Sequence, residues 1–320
     1  MGRTDAVHLA LMLLALGLAY LVPFELLLLA YAVLGPAHYT TEISWLHDRK
    51  YFVPQRGFAL ALATIAVAAA FYVASDAWFG FVLWGAFAGA ALLAAPRTTP
   101  QRIGLAIAAV GVTLVFVARL PALATLSILL PTLIHVSLFT LIFMALGAYR
   151  SGSAAQGLLV AMYLAAIALL LLVPPTAHTV LPRVDELGRL YFGNVAPALG
   201  QVFGVPGLQL DARLTGLFGF IYAYHYLNWF IKVEVIRWAD MPRWRWAAIG
   251  VISAASTGLY FHDYALAFSV LYGLSLAHVV LEFPLNAVAA RQLADAIGRS
   301  AVRLVAPTRT QTMRLRSARR

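Results

Sequence analysis

The stretch Gly157-Leu-Leu-Val-Ala-Met-Tyr-Leu-Ala-Ala-Ile-Ala-Leu-Leu-Leu-Leu-Val173 decides the fold class. It runs for seventeen residues without a charge, between Arg150-Ser151-Gly152 on one side and Pro174-Pro175 on the other. An apolar run of about 17–25 residues spans the hydrocarbon core of a bilayer as a helix. Backbone in lipid must satisfy its own hydrogen bonds, which leaves a helix as the form for one such run. The rest of the chain agrees. Its 320 residues are 62% hydrophobic and 11% charged, with a mean hydropathy of +0.83. Soluble chains carry about 45–50% apolar and about 25% charged residues. A water-soluble enzyme and a disordered chain are both excluded. With no cysteine, disulfides, zinc fingers and thiolate clusters are excluded as well.

Working outward from that run, the pattern predicts an all-α polytopic membrane protein with about nine spans. Their cores are 7–34, 58–75, 78–95, 103–118, 122–148, 157–173, 214–236, 246–261 and 264–285. Basic residues concentrate in cytoplasmic loops. With the amino terminus outside and the carboxyl terminus inside, 18 of the 23 lysines and arginines fall on the inner side. This places the protein in the inner (cytoplasmic) membrane. Residues 1–290 form one transmembrane domain, with a long external loop at 174–212. Residues 291–320 form a basic cytoplasmic tail. In it Arg291, Asp295, Arg299 and Arg303 share one helical stripe and Leu293, Ile297, Ala301 and Val305 the opposite one, so the tail is expected to lie on the anionic inner leaflet or to anchor the topology as a solvated segment. The net charge of +10 therefore points to lipid and not to nucleic acid.

An ionisable side chain at membrane depth is costly and marks a functional candidate. Here these are His38, His135, His225 and His278, with Glu25, Glu42, Lys232, Glu234 and Glu282. The other four histidines, His8, His47, His178 and His262, fall at span ends or in loops. Two segments repeat one spacing: His38-Tyr-Thr-Thr-Glu42 and His278-Val-Val-Leu-Glu282. Positions i and i+4 share a helix face, so each aims an imidazole and a carboxylate the same way. Transition metals accept both groups. His135 sits mid-span after Pro131, whose ring is expected to kink the helix. Around His225, the face bearing Tyr222, Trp229 and Lys232 is aromatic and polar, and Asn228 is placed to satisfy a ring N–H. The four histidines are expected to converge on a transition-metal site, mononuclear or dinuclear, with Glu42, Glu282, Tyr222 and Asn228 as further ligands or supports. Lys232 and Glu234 are expected to form ion pairs near the inner face. The same residues also suit a polar transport path or plain structural pairing between helices.

The segment Gly35-Pro-Ala-His38-Tyr-Thr-Thr-Glu42 resembles the G-x-x-H-x(n)-acid signature of the bacterial Brp/Blh-type carotenoid cleavage oxygenases. The resemblance covers about eight residues and maps His38 alone. It implies a polytopic protein whose histidines hold non-haem iron and which oxidises a conjugated isoprenoid. The H-x-x-x-H and H-x-x-H-H boxes of membrane desaturases are absent. The function expected is thus an oxygenase-type oxidoreductase acting on a hydrophobic small molecule, isoprenoid or acyl. A b-type haem protein, with His135 and His278 as axial ligands, and a transport or scaffold subunit of a membrane complex are the alternatives.

Overall fold

The computed structural model describes residues 2–50, 132–176, 195–205 and 207–305, with isolated positions between 63 and 111 and at 193. The expected spans 58–75, 78–95 and 103–118 apart from those isolated positions, Pro131, His178, residues 177–192 of the loop 174–212 and residues 306–320 lie outside the described residues. Every regular element among those described is helical. They are α1 (Arg3–Leu21), α2 (Pro23–Leu29), π1 (Ala30–Leu34), α3 (Gly35–Arg49), π2 (His135–Phe139), α4 (Thr140–Ser151), α5 (Ala154–Leu172), α6 (Val195–Phe203), α7 (Ala212–Ile231), α8 (Val233–Ile236), α9 (Arg243–His262) and α10 (Tyr264–Val305). Four helices among them are long and apolar enough to cross a membrane: Arg3–Leu21, Thr132–Ser151, Ala154–Leu172 and Tyr264–Ser300.

The expected first span, 7–34, is in fact two. Helix α1 ends at Val22, where the backbone leaves helical space (φ −143°, ψ 62°), and Pro23 opens α2. Proline suits the first helical turn, because its missing N–H is one that no carbonyl there would have received. The two runs are antiparallel, as their neighbours on α7 show. Ala19 and Pro23 approach Gly216 and Gly219 near the start of α7. His8, near the other end of α1, lies within electrostatic reach of Lys232 at the end of α7. The amino terminus therefore sits at the end of the bundle that carries Lys50, Lys232, Arg237 and Arg245, not at the opposite end as the charge count predicts. Hydropathy alone hides the turn, because both sides of Val22-Pro23 are apolar. His8 is buried and not interfacial, while His47 and His262 are exposed.

Helix α7 is the axle of the fold, with most of its side chains buried. Backbones approach it closely on one side. A Cβ on Gly219 would lie 2.8 Å from the Pro23 carbonyl oxygen, and one on Gly216 would lie 3.0 Å from that of Ala19. Small residues three apart on a membrane helix permit this kind of contact, where dispersion and not water exclusion drives packing. Tyr20 clips the α1 turn to the end of α5 by donating to the carbonyls of Leu169 (3.3 Å) and Val173 (2.7 Å). Helix α10 runs through residue 290 without a break, so the expected span 264–285 and the start of the tail are one helix. Arg150, at the end of α4, holds it there through Gln292 at 2.6 Å.

Candidate metal centre

Four helical segments each bring one histidine to a common point. Proline shapes the first. Pro36 cannot donate to the carbonyl four residues back, and its ring crowds that turn. The helix widens just before it into π1, Ala30–Leu34. A π-turn inserts one extra residue and commonly marks a functional site. His38 follows on α3. His135 opens the second π-turn, π2. His225 stands on α7 and His278 on α10. Their exposures are 1%, 1%, 9% and 1%, so all four are buried.

The four imidazoles are close enough to share an ion. One nitrogen from each lies within 4.8 Å of those of the others. The Nε2 atoms of His225 and His38 are 3.1 Å apart, and those of His278 and His135 are 3.3 Å apart. Metal–imidazole bonds of about 2.0–2.1 Å place neighbouring donors about 3.0 Å apart in an octahedron and about 3.4 Å apart in a tetrahedron. Both observed separations fall in that interval. The rings stand edge to face, with centroids 4.7–5.3 Å apart, so nitrogens and not ring faces meet at the centre.

Two of the four outer nitrogens have partners suited to this role, while Nδ1 of His38 has none among the described residues. His135 Nδ1 lies 3.1 Å from Glu282 Oε2, the acceptor for its N–H, with the side-chain amide of Asn286 3.4 Å away. His225 Nδ1 lies 2.7 Å from Thr140 Oγ1. An Nδ1–H donated outward leaves Nε2 as a lone pair facing inward, the tautomer a metal needs. Glu42 is different. Its Oε2 is 3.0 Å from the inward Nε2 of its own-motif partner His38. Glu42, His278 and Glu282 also bring ligand atoms within 4.8 Å of one another, so a carboxylate oxygen is available at the centre itself.

Tyrosines wall the site. Tyr39 stacks on His278, with centroids 4.4 Å apart and planes 24° apart, and its hydroxyl shares a 2.5 Å hydrogen bond with Tyr226. Gly35 makes room for this ring, since a Cβ there would meet Tyr39 Oη at 3.0 Å and Cζ at 3.1 Å. The glycine of the G-x-x-H segment is thus explained by the tyrosine that follows the histidine. Trp229 stands edge-on to His38 at 5.5 Å and donates to Thr41 Oγ1 at 3.0 Å.

The four histidines and both glutamates of the paired motifs therefore meet. Two expected supports lie elsewhere. Asn228 is buried, but Thr140, not Asn228, faces His225 Nδ1, and Asn228 Oδ1 has no hydrogen-bond partner among the described residues. Tyr222 donates to Thr132 Oγ1 at 3.2 Å and lines an apolar groove beside the site. Lys232 lies within electrostatic reach of Glu42, and the Glu234 side chain is outside the described residues. Thr140, Asn286, Tyr39 and Tyr226 are additions to the site. Thr140 follows His135 by five residues, a spacing that puts both on one face only when a π-turn intervenes, and no sequence signal marked that turn.

No protein-family profile matches the chain, and no curated protein or solved structure shows significant similarity to it.

Proposed function

We propose that this chain is a membrane-embedded metalloprotein in which His38, His135, His225 and His278 hold a transition metal, non-haem iron by preference, and that it acts as an oxygenase-type oxidoreductase on a hydrophobic substrate. One observation carries the metal: four buried imidazoles from four segments point their nitrogens inward at the separations of a coordination polyhedron. Without a cation, inward lone pairs would face one another in a dry interior, an arrangement that costs free energy. A borderline ion such as iron suits imidazole with an added carboxylate. Iron in this setting supplies one-electron chemistry toward dioxygen. The residues supply the rest: Glu282 and Thr140 orient two ligands, Glu42 offers an oxygen donor, and the surrounding helices keep water out.

The substrate class rests on the groove next to the site. Leu27, Leu28, Tyr31, Phe218, Tyr222 and Phe268 are among its lining residues, and its free volume is about 40 Å³. A single water needs about 10–15 Å³ by that measure, so the groove admits the end of a slender chain and excludes bulky groups. Thr132 and Tyr222, which join across it, each lie one helical turn from a histidine of the cluster, His135 and His225. An isoprenoid or acyl chain fits this description, and the resemblance carried by Gly35–Glu42 favours the isoprenoid. A b-type haem is less well supported. Axial nitrogens on one iron stand about 4 Å apart across an open slot, whereas those of His135 and His278 are 3.3 Å apart and two further imidazoles fill the plane between.

Elemental analysis and an absorption spectrum of the detergent-purified protein test the reading. Near-stoichiometric iron without a Soret band is expected, lost on replacement of any one of the four histidines by alanine. Metal content unchanged in all four variants refutes the ligand set.

A further inference from the structure

We propose that Trp229, Trp238 and Trp246 form a one-electron relay joining the four-histidine centre to the exposed basic end of the bundle, through which an unspent oxidising equivalent leaves the site. The three indoles run in series from the cluster outward. Trp229 touches His38 (5.5 Å between centroids), Trp238 stacks on Trp229 (6.3 Å, 23°), and Trp246 packs on Trp238 (5.6 Å, 50°). These are contact separations for aromatic rings. Burial falls along the series, from 9% and 8% exposure at Trp229 and Trp238 to 41% at Trp246. Interfacial tryptophans commonly anchor membrane helices, and that accounts for Trp246 alone. It does not account for two buried indoles placed between it and a histidine cluster.

The proton balance favours bare electron movement. Trp238 Nε1 is buried without an acceptor among the described residues. Trp229 Nε1–H donates to Thr41 Oγ1, whose own proton goes to the Ala37 carbonyl at 2.7 Å. Among the described residues neither indole faces a base, so each would keep its N–H when oxidised and pass on an electron alone. In the relay, with a redox ion held at the centre and oxidised by dioxygen in the absence of substrate, Trp229 would give up one electron to it. Trp238 refills Trp229, and Trp246 refills Trp238. A soluble thiolate then reduces Trp246 and becomes a thiyl radical, two of which couple to a disulfide. The chain has no cysteine of its own, so the terminal reductant comes from solution.

The relay rests on the proposed redox metal for its purpose, but its test separates the two. Iron(II)-loaded protein is treated with stoichiometric hydrogen peroxide in the absence of substrate, and oxidised indoles are mapped by peptide mass spectrometry. Oxidation several-fold higher at Trp246 than at Trp244 is expected, although Trp244 is more exposed (68% against 41%). Attack from solution would reverse that order. In Trp238→Phe the excess at Trp246 should vanish and the mark should move to Trp229. An unchanged mark at Trp246 in that variant, or more oxidation at Trp244, overturns the relay. A second arm needs no metal. Arg243→Cys provides a unique thiol one turn from Trp246 for a ruthenium photo-oxidant, used with persulfate. Light should oxidise buried Trp229 in this protein and spare it when Trp238→Phe is added. Failure of this arm sinks the relay. Success in a protein that retains no iron keeps the relay and retires the four-histidine centre.

Discussion

His38–Glu42 and His278–Glu282 have the same spacing, and the fold uses them differently. Glu42 turns toward its own histidine and reaches the inward nitrogen, 3.0 Å away. Glu282 instead reaches Nδ1 of His135 on another segment, at 3.1 Å. In the proposed site the first motif would offer a pair of donors, and the second would offer one donor and, through its carboxylate, hold the donor of a neighbour. Helical spacing puts two side chains on one face. What each touches is decided by the helix opposite: α7 and α10 face the first motif, while π2 lies against the second.

Alanine in place of His38 or His278 removes a donor from either motif and should have the largest effect, loss of most bound metal by elemental analysis with the helical circular dichroism retained. Metal content unchanged in either variant would remove the basis of the comparison. The carboxylates should then diverge. Glu282→Gln weakens metal affinity by about 10–100-fold, the usual cost of disturbing a ligand's outer partner, and leaves the d–d spectrum of the cobalt-loaded protein unchanged. Glu42→Gln alters that spectrum, because it changes an atom at the centre. Identical spectra for the two variants would mean that both carboxylates play the same role.

The packing beneath the first motif gives a smaller effect. Gly219→Ala forces a methyl to within 2.8 Å of the Pro23 carbonyl, an overpacking that costs about 1–3 kcal/mol. The melting temperature should fall, and metal affinity with it, since α2 and π1 lead directly into His38. A Gly250→Ala control, where a Cβ meets nothing within 4 Å, should not destabilise.

The smallest effect is at the exposed end of α3. Arg245 donates to both oxygens of Asp48 at 2.7 and 2.6 Å, and these bonds hold the Asp48 carboxyl below its ordinary value. A depressed folded value means stability that is present above the unfolded value, about 3.9, and lost as pH falls through the folded one. The pair is partly exposed, so about 0.2–1 kcal/mol is at stake. Asp48→Asn should melt slightly lower than the parent at pH 6, with the gap closing toward pH 3. A gap that widens in acid would contradict the sign.

The histidines were legible in the sequence because burying imidazole in lipid is expensive, and four such residues in an apolar chain stand out. The paired motifs were legible for the same reason, as a spacing among only thirteen acidic residues. The turn at Val22-Pro23 was not, since hydropathy reports burial and not direction. Only the packing of Ala19 and Pro23 on Gly216 and Gly219 reveals that the chain doubles back. Thr140 and Asn286 were also hidden. A threonine and an asparagine cost little in a membrane helix when they find partners, so nothing in composition distinguishes them from structural residues. The charge count placed Arg3 at the opposite end from the loop arginines because it assumed one continuous helix where the chain turns back at Val22-Pro23.

The two π-turns beside His38 and His135 have a further consequence. Each holds one surplus residue, and expelling it would rotate the helix beyond by about 100°, enough to carry an imidazole clean out of the cluster. A register slip at either turn would therefore break up the cluster with all four histidines still in place.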